Sequence, residues 1–320
     1  MRYYLLLVLV TCATYAAVSV LAAFAISAAW PRIHRRARTA VSSARARAVA
    51  AARLAPVTAG SVVAAILSNV FLRYEPRDTA EDPGVLLMIA SAVTMALVVT
   101  AGARLARAVR AGAECSRLLR AAGRPAQRSD GTPVWIVDSE YPVAAVTGIF
   151  RTRLLLSTRI IDECTTKELD AVVRHETAHV MRRDNVVRAA MLYLPDPLGL
   201  LRAGREMTKV WAAAAEESAD DAAAGHDVED RTILAAALVR VARMASTPAP
   251  RWVPVLAFYE GTNLESRVRR LLDHGRAAHA VRSHAAIVLL VAVAVCTVIL
   301  TDTLARQVHA WMELSVRLLP

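Results

Sequence analysis

Long uncharged runs alternate along this chain with short patterned segments. Tyr3 to Trp30, Leu54 to Leu72, Gly84 to Gly102 and Ala285 to Thr301 contain no charged residue. The first is long enough to cross a hydrocarbon core of about 30 Å, and the others are span candidates on the same criterion. The first run is too long for the apolar core of a signal peptide and is followed by strongly basic residues, so it reads as an uncleaved span. Between the third and fourth runs the pattern shortens. Val134 to Asp138, Ala144 to Val146 and Arg153 to Ser157 read as strands, with a turn at Thr147-Gly148. Helical periodicity follows, with Leu169, Val172, Val173 and Val180 on one face. Thr165 and Glu168 have capping-box spacing at its start, and Asn185 is a plausible stop. Val186 to Gly204 is apolar but broken by Pro195-Asp196-Pro197, which suggests a packed or membrane-touching hairpin. Arg202 to Ala224 and Asp230 to Ala245 read as two further helices.

The fold class expected is therefore a mainly α membrane protein. Residues 1–103 hold three transmembrane helices (about 3–30, 54–72 and 84–102) and a basic loop at 31–53. Residues 104–282 form an α+β domain inserted between spans 3 and 4, its first part a basic helix over Ala103 to Gln127 that ends near Gly123 and Pro125. Residues 283–320 hold the fourth helix (about 283–301) and a short tail. Composition agrees: 56% of residues are hydrophobic and only 5% aromatic, unlike a soluble enzyme.

Charge sets the orientation. Arg32, Arg35, Arg36, Arg38, Arg45, Arg47 and Arg53 occupy the first loop without an acid, whereas Arg73 to Pro83 carries Glu75, Asp78, Glu81 and Asp82. The positive-inside rule places the first loop and the 104–282 region in the cytoplasm, with both termini outside a multi-pass cell (inner) membrane. The net charge of +11 is mostly juxtamembrane arginine facing the lipid bilayer, so no direct nucleic-acid partner is expected. Cys12, Cys115, Cys164 and Cys296 show no CxxC spacing and indicate neither a disulfide framework nor a thiolate metal site.

The candidate chemistry lies in Val172 to Asn185. On a helix, His175 and His179 are about 40° apart in projection and roughly 6 Å apart along the axis, so both imidazoles face one point. Glu176 beside them can act as general base toward water on a metal, the mechanical content of HExxH. A catalytic zinc needs a third protein ligand. Glu216 and Asp220 share a helical face downstream: the first can ligate, and the second can accept the outer N–H of a ligand histidine. Glu217 and Asp221 have the same spacing and form an alternative register, and a solvated acidic turn is the plain structural reading of the cluster.

HETAHVMRRDN (175–185) followed by EESAD (216–220) resembles the BlaR/MecR family of membrane-integrated zinc metallopeptidases, whose pattern is HExxHxxRxD and later ExxxD. It is similar, more distantly, to the HtpX and Ste24 type of membrane gluzincins. The resemblance implies a gluzincin-like metallopeptidase domain with one Zn2+ per chain, ligands His175, His179 and Glu216, general base Glu176, and Asp220 orienting a histidine. Asp184 is a candidate to hold a ligand histidine or a neighbouring arginine. The resemblance also places Arg153, Leu154, Leu155 and Leu156 on an edge strand that pairs with substrate; an ordinary core strand is the alternative, since edge status is invisible in sequence. Arg267, in Asn263 to Leu272, resembles a segment that closes this family's catalytic domain, and could meet the oxyanion, brace the site, or lie at the surface.

The implied activity is an antirepressor endopeptidase in signal transduction, its substrate a BlaI/MecI-type repressor, with self-cleavage near Arg269-Arg270 and homo-oligomerisation compatible with it. Nineteen residues follow Thr301, too few for a penicillin-binding sensor domain, so direct β-lactam binding is not expected. An HtpX-like quality-control protease and a non-catalytic, zinc-stapled receptor or scaffold are the rival readings.

Overall fold

A computed structural model describes residues 2–77, 82–128, 131–225, 227–245, 264–273, 306–307 and 309–311. The fourth span, expected at 283–301, lies outside the described residues. Three helices among the described residues are long and apolar enough to cross a membrane: α1 (Arg2–Arg38), α2 (Ser42–Tyr74) and the first part of α3 (Val85–Ala122). Small and hydroxylated residues join them. A Cβ on Gly60 would lie 2.9 Å from Ser19 Cβ, so α1 and α2 cross closely as small-residue contacts allow. Thr11 and Ser68 hydroxyls are 2.7 Å apart, and Thr94 donates to the Cys12 carbonyl at 2.6 Å, tying α1 to both neighbours.

Residues 31–53 are not the loop that their charge suggested. Helix α1 continues through Pro31 to Arg38, and α2 begins at Ser42. Alanine and arginine are strong helix formers, and Ala37, Ala46 and Val49 are buried against later helices, so burial and propensity agree. The basic segment is the helical tip of a hairpin.

A four-stranded sheet follows, in the order β1-β2-β4-β3. β1 (Gly123–Gln127) pairs antiparallel with β2 (Pro133–Val137), β2 runs parallel to β4 (Arg153–Ser157), and β4 pairs antiparallel with β3 (Ala144–Thr147). β1 was expected as the end of the preceding helix. Gly-Arg-Pro-Ala-Gln has little strand propensity, and pairing with β2 imposes the extended form. Its edge position tolerates Pro125.

The expectation that Arg153, Leu154, Leu155 and Leu156 form an open edge is overturned. β4 is paired on both sides. Leu154 and Leu156 pack toward Val173, while Leu155 packs on the other face with Val137, Val143 and Ala145. The unbroken leucine run reflects burial of both faces, as in an interior strand. Arg153 stacks over the Trp135 ring at 4.9 Å. The edge next to the helical layer is β3, which reverses into β4 at Gly148. That residue has φ +89°, and a Cβ there would lie 2.3 Å from the Arg151 carbonyl oxygen.

Beyond the sheet come α4 (Thr158–Glu163), α5 (Thr166–Arg182), α6 (Asp184–Tyr193), a 3-10 turn at Leu198–Leu200, α7 (Arg202–Ala224), α8 (Val228–Met244) and α9 (Leu264–Leu272). α5 is seated on the sheet through Val173 and on α7, α8 and α9 through Ala171, Ala223, Leu234 and Leu271. α7 also belongs to the membrane hairpin: Met207, Trp211, Ala214 and Ala215 share a core with Ala23, Trp30, Ala46 and Val49.

The proline-broken segment is a packed hairpin between α6 and α7. The Tyr15 hydroxyl donates to the Pro195 carbonyl. Asp196 pairs with Arg53 of α2, and both side chains are almost fully buried. Such a pair is tolerated because its remaining atoms are occupied: Asp196 accepts from the Leu198 and Gly199 amides at 2.9 and 3.0 Å, and Arg53 Nε donates to the Gly204 carbonyl at 3.1 Å. At Gly204 itself, a Cβ would stand 1.9 Å from the Leu198 carbonyl oxygen. Gly204→Ala should therefore unseat the start of α7 and lower stability by about 1–3 kcal/mol, read as an earlier unfolding midpoint in detergent. Gly112→Ala, with nothing within 4 Å of the added carbon, should leave that midpoint unchanged or slightly higher.

Candidate metal centre

α5 starts with a complete capping box. The Glu168 amide donates to Thr165 Oγ1 at 3.3 Å, and the Thr165 amide donates to Glu168 Oε2 at 2.8 Å. Arg240 of α8 reaches the other Glu168 oxygen at 3.1 Å. The helix is thus fixed at its N-terminus before it presents its histidines two turns on.

His175 and His179 turn their Nε2 atoms toward each other at 3.3 Å. Glu216, from α7, completes the group, with Oε2 3.4 Å from His175 Nε2 and Oε1 3.6 Å from His179 Nε2. One ligand atom from each residue falls within 4.8 Å of the others, and all three residues are buried. Residues from two helices that are remote in sequence therefore converge on one point.

The outer nitrogen of each imidazole faces a carboxylate. His179 Nδ1 is 2.7 Å from Asp184 Oδ2. His175 Nδ1 is 3.1 Å from Asp220 Oδ1, close enough for an ion pair but off the line of a hydrogen bond. Such partners fix ring orientation. Asp184 reaches back because Arg183, at φ 56° and ψ 38°, is in the left-handed region and ends α5 where α6 begins. Arg182 donates to Asp184 at 2.8 Å and to the Ala215 carbonyl at 3.0 Å, linking the end of α5 to the residue before Glu216.

Arg267 lies inside the site. Its Nε and Nη2 donate to the two Asp220 oxygens at 2.9 and 2.7 Å, and its Nη1 is 3.0 Å from Glu216 Oε2. The fork is committed to these acids, so the geometry gives Arg267 a bracing position. Glu217 and Asp221 face elsewhere: Glu217 pairs with Arg45 of α2, and Asp221 accepts from Ser42 and from Arg270. The alternative register is therefore not the one that meets the histidines.

Sequence reading left Arg182, Asn185, Ser42 and Arg45 without a place in the site. Arg182 stood inside the HExxHxxRxD pattern, and Asn185 had been read only as a stop. Asn185 Nδ2 donates to the Val146 and Gly148 carbonyls at 3.3 and 2.8 Å, holding the end of β3 against the helices. For Ser42 and Arg45 there was no local signal, since their partners lie far away in sequence.

The electrostatics favour a cation. Burial alone would lower the His175 pKa, but Asp220 and Glu216 outweigh it and raise it to about 9. Burial would raise Glu216, yet His175, His179 and Arg267 hold it down at about 2. For Glu176 burial prevails and pushes the carboxyl up, against the pull of the two histidines. Around the imidazole pair Arg267 holds Glu216 and Asp220, and Arg182 holds Asp184. Glu216 Oε1 is buried without a hydrogen-bond donor and points at the imidazole pair. Two imidazoles and a carboxylate suit zinc in a site that keeps a position open.

Residues 105–249 match the sequence model of peptidase family M48. The match takes in the sheet, α5 and α7, and covers less than half of the 320 residues. No curated protein and no solved structure matches the chain. The match supports a metallopeptidase, and the His175, His179 and Glu216 group is compatible with its zinc. Together with the three apolar helices, this is consistent with a membrane-associated metalloprotease.

A proton dependence follows. His175 in the metal-free chain keeps its proton until the pH rises through about 9, and a ligand histidine must be neutral. Zinc uptake at pH 7 should therefore release a proton, and apparent affinity should rise from pH 7 toward 9. Calorimetry in two buffers of different ionisation enthalpy measures the release; equal heats in both would contradict it.

Proposed function

We propose that the chain is a four-span zinc endopeptidase whose site faces the cytoplasm, and that it acts as an antirepressor by cleaving a BlaI/MecI-type repressor. The observation that carries the peptidase reading is the meeting of His175, His179 and an otherwise unpaired Glu216 oxygen, with Glu176 one step round the same helix. Arg45 pairs with Glu217, so the arginine-rich hairpin tip lies beside the site, and by the positive-inside rule this supports a cytoplasmic orientation. The antirepressor reading rests on the resemblance of HETAHVMRRDN and EESAD to the BlaR/MecR pattern. Its Arg182 and Asp184 positions both serve the centre here.

His175, His179 and Glu216 would hold the zinc, with Asp220 and Asp184 setting the rings and Arg267 holding Asp220 and Glu216. Zinc, when bound, supplies a Lewis acid for the scissile carbonyl and lowers the pKa of water toward about 7. Glu176 takes the proton of the attacking water and delivers it to the leaving amine; its raised pKa suits both steps. The substrate backbone would pair with β3, an edge strand among the described residues that adjoins α5 through Val146 and Val173, ahead of its end, where Asn185 holds the Val146 and Gly148 carbonyls.

Glu176→Gln should keep stoichiometric zinc and lose repressor cleavage by about 10²-fold or more. The measurement is zinc content beside digestion of a purified winged-helix repressor by the detergent-solubilised chain. A metal-replete Glu176→Gln protein that still cleaves would remove Glu176 as the base. A wild-type protein that degrades unfolded membrane proteins but leaves the repressor whole would establish the quality-control reading instead.

A further inference from the structure

α7 carries two acid pairs at the same spacing, and they serve opposite sides. Glu216 and Asp220 meet the histidines of α5, whereas Glu217 and Asp221 meet the tip of the membrane hairpin, with Arg270 of α9 also on Asp221. Arg45 of α2 pairs with Glu217, and Ser42 at the start of α2 donates to Asp221. Nearer the membrane, α7 is fastened to α2 again, where Arg53 reaches the Gly204 carbonyl and Thr208 Oγ1 at 3.1 and 3.2 Å. Between these fastenings the helices share the core of Val49, Met207, Trp211 and Ala214. α5 stands on the sheet, through Val173 against Leu154 and Leu156, and touches α7 through Ala171 and Ala223 and through the bond from Arg182 to the Ala215 carbonyl, but makes no such bond to the hairpin tip among the described residues.

The geometry points to Arg45 and Ser42 as positioning residues for the zinc ligand Glu216, acting through the neighbouring Glu217 and Asp221. This inference rests on the metal reading of the site. Two ligands are carried by a helix built on the sheet, and the third by a helix bolted to the hairpin that enters the bilayer. Glu216 and Glu217 are adjacent on one rigid helix, so a shift of the hairpin tip moves the carboxylate relative to the imidazole pair. The hairpin thereby tunes metal affinity alongside α9, whose Arg270 holds the same Asp221, and a change in the spans that withdraws Arg45 loosens the centre.

The test is zinc affinity of the full chain in detergent, by competition with a chromophoric chelator, with the unfolding midpoint recorded alongside. Arg45→Ala should weaken zinc binding about tenfold, and the exchange Arg45→Glu with Glu217→Arg should recover most of the loss. Arg47→Ala removes the same charge from an exposed position nearby and should leave affinity unchanged. A folded Arg45→Ala protein within twofold of wild type would overturn the inference. If Arg45→Ala does not fold, Ser42→Ala removes only the hydroxyl on Asp221, and unchanged affinity there would overturn it equally. A wild-type chain that takes up no stoichiometric zinc would sink the metal reading itself, and the inference with it.

Discussion

A carboxylate can stay ionised beside two buried imidazoles only if the groups around it are paired, and in this chain one guanidinium does most of that work. Arg267 grips both oxygens of Asp220 and reaches Glu216. Burying a lone carboxylate costs several kcal/mol, and Asp220 is wholly buried. The chain from Arg267 through Asp220 to His175 is thus what lets α5 and α7 approach each other with their acids charged. Arg270, one turn along α9, repeats the device on the other side of α7 by holding Asp221 and the Glu217 carbonyl. A nine-residue helix so helps to fix the rotation of α7, on which Glu216 meets the two histidines.

What could be read from the residues was local or periodic. The capping box of α5, the spacing of its two histidines, the apolar spans and three of the four strands follow from neighbours within a few positions. The spacing of Glu216 and Asp220 also named the pair that meets the histidines, although choosing between it and Glu217 with Asp221 required knowing which face of α7 looks toward α5. The misreadings had different causes. β1 exists because β2 is beside it, not because Gly-Arg-Pro-Ala-Gln favours extension. β4 was assigned an edge by analogy, whereas its three consecutive leucines signalled burial on both faces. The basic segment was taken for a loop because charge reports which side of the bilayer a stretch occupies and says nothing of its backbone.

The site also joins two kinds of environment. Its histidines stand on a sheet whose core is made of valine and leucine, and its acids stand on a helix whose other face is packed into the membrane hairpin. Arg183 makes the junction possible. Its left-handed backbone lets one helix end and the next begin without a spacer, so Asp184 falls beside His179 while α6 departs toward the hairpin. Asn185, next along, ties the same corner to the end of β3. Three successive residues therefore set a bend, a histidine partner and a strand end.

The shared core of α7 with α1 and α2 has a practical consequence for how the protein can be handled. A water-soluble fragment cut to the segment matched by the peptidase family would contain both histidines and Glu216. It would also strip Trp211, Met207 and Ala214 of the surface they are buried against, exposing an apolar stripe on the very helix that bears the carboxylate. Excision would thus expose an aggregation-prone face, and α1 and α2 belong to the same packed unit as the helix that carries Glu216.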